Sequence, residues 1–174
     1  MIKESQEKYL ESLPEGKSIE VKPFDPRVQE VAEKIVAEVK EVLPDLPMRF
    51  GGAAALGIAG QNDIDILMLS TPTEFERYFS ALEKLFGSPS RIGTSPKNKS
   101  VKWEFVRDDF PVELYMVFEG SPAAEEQIKT FERLSQNKEL RDAYEQTKLP
   151  YGPIDFKEYM RKKYEFFNKI LENN

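Results

Sequence analysis

The clearest hydrophobic rhythm in the chain lies in "DPRVQEVAEKIVAEVKEVLP", where Val28, Val31, Ile35, Val39 and Val42 recur at three- and four-residue spacing. That spacing predicts an amphipathic helix burying one stripe, with Ala32 and Leu43 beside it, Asp25 as N-cap, Pro26 at the first helical position and Pro44 beyond the end. A second helix is expected in "TPTEFERYFSALEKLFG", with Thr71 and Glu74 as a capping box, Pro72 at its first position and Gly87 as its stop. Between them the pattern changes period. "PMRF" reads as a short extended segment, "AAALGIAG" as one or two helical turns, and "DIDILMLS" from Asp63 as a strand. "VKWEFV" and "PVELYMVF" both alternate, and Arg107 to Phe110 can turn one into the other, so they predict an antiparallel hairpin. A short helix is expected over residues 5–13, and "SIEVKPF" reads as extended. From Ser121 the chain reads as about three helices, the last opening at Asp155, while "SPSRIGTSPKNKS" reads as a long polar surface loop.

These elements predict an α/β fold: a core over residues 1–120 and a helical C-terminal portion over 121–174, packed together as one compact domain. The 174 residues contain neither Cys nor His, which excludes disulfides, Cys- or His-ligated zinc and histidine bases. Chemistry falls to carboxylates, hydroxyls, amines or a bound ion. A net charge of −6 argues against general nucleic-acid binding. The N-terminal stretch lacks the apolar segment of a signal peptide, and no apolar run is long enough to span a membrane, so a cytoplasmic location is expected.

Strand residues two apart share a face, so Asp63 and Asp65 point the same way, roughly 6.5–7 Å apart along the chain, while Ile64, Ile66 and Met68 anchor the strand from behind. Two half-buried carboxylates repel unless a cation or hydrogen-bond donors relieve them. A divalent ion is the simplest relief, and hard oxygen ligands suit magnesium or manganese. If the strand holding Glu113 lies beside this one, Glu113 is the natural third carboxylate. On the hairpin partner, Glu104 falls near Glu113 and Lys102 near Tyr115. Gly51 and Gly52 stand where backbone N–H groups can approach a phosphate without an intervening Cβ.

An apolar residue, Gly51-Gly52, a ten-residue spacer and Asp63-Ile64-Asp65-Ile66 together resemble the signature of the nucleotidyltransferase superfamily. More closely, "GGAAALGIAGQNDIDI" is similar without a gap to the motif of the GrpB family, a branch of that fold, through Gly51, Ala54, Gly57, Ala59, Ile64, Asp65 and Ile66. "ELRDAYEQTK" has the spacing of that family's Glu-Leu, Tyr and Lys segment through Glu139, Leu140, Tyr144 and Lys148, and the closing "YMRKKYEFFNKIL" is similar in character to its terminal helix. The chain departs from the pattern as well. A family Ser falls at Gly52, a Lys-Pro at Gln61-Asn62, a His at Arg49, an apolar residue at Asp63, and later-strand histidines give way to Glu113.

The resemblance implies a small mixed nucleotidyltransferase-type sheet with packed helices, and transfer of a nucleotidyl group from a nucleoside triphosphate to a small-molecule or protein hydroxyl. In that reading Asp63, Asp65 and Glu113 hold Mg2+ or Mn2+, Glu113 alternatively serves as the acceptor base, and Gly51, Gly52, Lys97 and Lys99 contact the nucleotide. The alternative it implies is a non-catalytic module binding a nucleotide or a coenzyme A precursor, since family members occur fused to dephospho-coenzyme A kinase domains. A third reading is an interaction protein, with the phenylalanine-rich last helix as core or as a homodimer surface. Arg133, Tyr144, Lys148 and Lys163 need no role beyond helix packing or surface charge.

Overall fold

The computed structural model describes residues 1–93 and 99–172. A five-stranded mixed sheet is built from β2 (Met48–Gly51), β3 (Ile64–Ser70), β4 (Arg91–Gly93), β5 (Ser100–Arg107) and β6 (Phe110–Phe118), in the order β2-β3-β6-β5-β4. Only β3 and β6 run parallel; the other neighbours are antiparallel. The expected hairpin is β5–β6, closed between Arg107 and Phe110 by Asp108 and Asp109, both at positive φ. Aspartate tolerates that conformation better than most residues.

One face of the sheet is the core. Ile64, Ile66 and Met68 of β3, Leu114 and Met116 of β6, and Val101 and Trp103 of β5 are buried under α2 (Arg27–Val42) and α4 (Phe75–Phe86). The stripe expected on α2 is buried through Val28, Val31, Ala32, Ile35 and Val39, with Leu43 just beyond it, but Val42 at the helix end is exposed. The start of the helix differs from expectation by one residue. The Asp25 carboxylate accepts the Arg27 N–H at 3.0 Å while Pro26 is the flanking residue, so the aspartate caps from one position further out. At α4, Thr71 Oγ1 accepts the Glu74 N–H at 3.2 Å, but Glu74 turns its own carboxylate to Arg77, and the helix begins at Phe75 instead of Pro72.

The opposite sheet face carries Asp65, Leu67, Glu113 and Tyr115, and the C-terminal helices α5 (Pro122–Gln136), α6 (Lys138–Gln146) and α7 (Phe156–Glu172) gather on that side. Arg49 of β2, the register partner of Leu67, reaches Glu132 of α5 at 3.0 Å. The phenylalanines of α7 are used within the chain: Tyr144 packs against Phe166 and Phe167, with ring centroids 5.4 and 5.0 Å away. Two short strands were not anticipated. β4 interrupts the expected loop, and β7 (Gly152–Asp155) pairs antiparallel with β1 (Ser18–Val21), tying the chain's two ends together beside α1 (Glu4–Ser12). No described helix is long and apolar enough to cross a membrane.

Candidate functional site

β2 ends at Gly51, whose register partner is Asp65, and the chain then turns into the single-turn helix α3 (Gly52–Ala55). Gly52 has φ +74°, and a Cβ placed there would collide with Asp65 Oδ2 and lie 3.2 Å from its Cγ. The glycine is therefore required by the aspartate, which lays its carboxylate against the bare backbone. Gly51 is different: a Cβ there would meet nothing nearer than the Asp65 carbonyl oxygen at 3.9 Å.

The segment leading into Asp63 is held from both sides. Asn62, itself at positive φ, donates from Nδ2 to the Pro23 carbonyl at 3.0 Å and accepts the Asp25 N–H at 3.2 Å. The Ala59 peptide is gripped from the α6 end, its N–H donating to Glu145 Oε1 and its carbonyl accepting from Lys148 Nζ, both at 2.7 Å. Lys148 is 2% exposed, with its ammonium 4.1 Å from the centre of the Tyr144 ring. The Tyr and Lys of the family-like segment thus brace the approach to the acids, which sequence alone had left as ordinary helix residues.

Asp63 and Asp65 are both partly buried, but the strand expected from Asp63 begins one residue later, at Ile64, so Asp63 stands just before β3 and Asp65 within it. Burial raises the Asp63 pKa, and burial followed by the neighbouring Asp63 charge pushes Asp65 up to about 7. The strongest relief of both comes from Lys163 of α7, a residue that sequence reading assigned only to surface charge or packing. Burial works against the Lys163 ammonium, but Tyr159, Asp65 and Asp63 outweigh it and its pKa is raised. Lys148 goes the other way: burial, then the Lys163 charge, lowers it to about 7. Tyr144 and Tyr159 also feel the acid pair and are raised, chiefly by burial. No sequence period marks these helix residues as site residues, because the fold alone brings them over β3.

Glu113 lies beside Asp65 in register, as expected of the third carboxylate, and Glu104 lies beside Glu113. Its oxygens, however, are already engaged. Lys102 Nζ is 2.9 Å from Glu113 Oε1 and 2.6 Å from Glu104 Oε1, and the Tyr115 hydroxyl donates to Glu113 Oε2 at 2.7 Å. Among the described residues no three acids are gathered closely enough to hold a metal ion. Lys99 pairs with Glu76 at 2.7 Å and stacks over Phe75 instead of facing the aspartates, and Lys97 lies outside the described residues.

Asp63 and Asp65 nonetheless suit a hard divalent ion of the magnesium type, which is commonly held by one or two carboxylates with phosphate oxygens and water completing the shell. The donors are oxygens two residues apart in the chain, and the carboxylate of Asp65 is fixed against Gly52.

A model of the GrpB protein family matches residues 18–173, and the chain belongs to that family. Among curated proteins none matches the sequence. Solved structures with a similar trace include Cid1, described as an RNA terminal uridylyl transferase, at 14% identity and TM-score 0.43, covering 83% of this chain and 46% of Cid1. Another is the GLD-2/RNP-8 complex, at 16% identity and TM-score 0.47, covering 83% of this chain and 57% of that one. The chain thus spans about half the length of these structures.

Proposed function

We propose that this GrpB protein binds a nucleoside triphosphate with a divalent cation at Asp63 and Asp65 and transfers its nucleotidyl group to a hydroxyl acceptor. The observation that carries this reading is the pair of partly buried aspartates at the start of β3, the second seated on Gly52, with the Lys163 charge relieving both. Burial raises both acids and the Asp63 charge raises Asp65 further, so a divalent cation beside them would favour their charged forms. When bound, Mg2+ or Mn2+ would polarise the phosphate and lower the barrier to in-line attack. Asp63 and Asp65 would hold it, Lys163 would face phosphate oxygens, and the glycine turn would let the nucleotide approach the backbone closely. Lys163 takes the place that Lys99 had in the sequence reading, because Lys99 is already paired with Glu76.

The engagement of Glu113 by Lys102 and Tyr115 favours a second reading, a nucleotide- or coenzyme-A-precursor-binding module without transfer, since a third free carboxylate is then missing as acceptor base. Pyrophosphate release separates the two. The protein is incubated with each nucleoside triphosphate, Mg2+ or Mn2+ and a panel of hydroxyl acceptors, beside an Asp63→Asn, Asp65→Asn variant. Release by the parent alone supports transfer; binding without release across the panel supports the module.

A further inference from the structure

Across β3, β6 and β5, Asp65, Glu113 and Glu104 stand side by side on one sheet face, in register. Neighbouring strands are about 4.8 Å apart, so three like charges in such a row repel unless something intervenes. What intervenes is part of the chain. Lys102 lies two residues before Glu104, hence on the same face, and its side chain is 16% exposed. Its ammonium sits between Glu104 and Glu113, 5.1 Å from the centre of the Tyr115 ring, and Tyr115 in turn caps the other oxygen of Glu113. Each oxygen of Glu113 is therefore already engaged by a donor from its own strand or its hairpin partner.

We propose that Lys102 occupies the position of a second divalent cation, so that the site takes one divalent ion, at Asp63 and Asp65, where a freed Glu113 would make room for two. This inference rests on the metal reading above, and it assigns a purpose to a lysine that lies outside the fold's core. An ammonium in this position is a fixed charge: it does not dissociate at low metal concentration, and it keeps the acid row compact without an ion. It also sets a limit, because a lysine cannot polarise phosphate as a divalent ion does.

The test counts bound Mn2+ by electron paramagnetic resonance on the full chain, at millimolar Mn2+ without nucleotide. The parent is expected to bind one equivalent, Lys102→Met two, Lys102→Arg one, and Lys102→Met combined with Glu113→Gln one. Should Lys102→Met fail to fold, Lys102→Met with Glu104→Gln relieves the carboxylate repulsion while keeping Glu113, and is expected to bind two. Two equivalents on the parent, or no gain in the folded variants lacking Lys102, would overturn the proposal. Loss of the parent's single ion in Asp63→Asn, Asp65→Asn is the separate check on the aspartate site. A parent that binds none, with one ion gained in Lys102→Met and lost again with Glu113→Gln, would uphold the role of Lys102 and refute the aspartate reading.

Discussion

Replacing Gly52 with alanine separates two costs that usually arrive together. The first is conformational, because Gly52 has φ +74°, and a residue with a Cβ in the left-handed region costs about 1–2 kcal/mol. The second is steric, because the new Cβ collides with Asp65 Oδ2 and lies 3.2 Å from its Cγ, forcing the carboxylate off its seat at a further cost of about 1–3 kcal/mol. Gly16 has the same φ of +74° with nothing within 4 Å, so Gly16→Ala measures the first cost alone. Asp65→Ala removes the colliding atoms, so in that background Gly52→Ala should also show only the first cost. Urea unfolding followed through the single buried tryptophan, Trp103, gives all the values, and the coupling between Gly52 and Asp65 in the double-mutant cycle should be at least about 1 kcal/mol. A Gly52→Ala variant no less stable than Gly16→Ala, with zero coupling, would refute the claim that this glycine exists to seat Asp65.

The other expectations concern charge and core. Without metal, stability between about pH 5 and 9 should pass through a minimum near pH 7. Asp65 is raised from 3.8 to about 7, so the folded state holds the extra proton and stability falls as pH rises through that window. Lys148 is lowered from 10.5 to about 7, so the unfolded state holds the extra proton and stability rises with pH above it. Each of these groups contributes a slope of at most about 1.4 kcal/mol per pH unit; Asp65→Asn should reduce the acid limb, to which the raised Asp63 also contributes, and Lys148→Met the alkaline one, read by urea unfolding at each pH. Gly51→Ala should leave stability within about 0.5 kcal/mol, since its Cβ meets only ordinary contact, so any loss of nucleotide affinity in calorimetry would report close approach of phosphate to that backbone. Leu114→Ala, fully buried at the centre of the sheet, should cost about 2–5 kcal/mol by the same unfolding assay.

Much of this architecture was legible in the sequence because it depends on local period. The stripe on α2 and the alternation of β5 and β6 follow from 3.6- and 2-residue repeats. What was not legible depends on distant partners. β7 is four residues long, contains Pro153, and exists by pairing with β1 at the other end of the chain. Lys148 and Lys163 look like any lysines near or on a charged helix until the fold lays α6 and α7 over β3. Glu113 lies beside Asp65 as expected if the two strands are neighbours, but the spacing that put Lys102 near Tyr115 did not reveal that its ammonium would pair with Glu113 as well. For Gly52 the structure supplies a steric reason in Asp65, independent of phosphate.

The central claim is that the aspartate pair holds the cation that a nucleotide needs. It is tested most directly by calorimetric titration of each nucleoside triphosphate, with and without Mg2+, into the parent and into Asp63→Asn, Asp65→Asn, whose fold is checked by circular dichroism. Saturable binding that requires Mg2+ and disappears in the folded variant is expected. Absence of binding by any nucleotide, or equal binding by the variant, would contradict it.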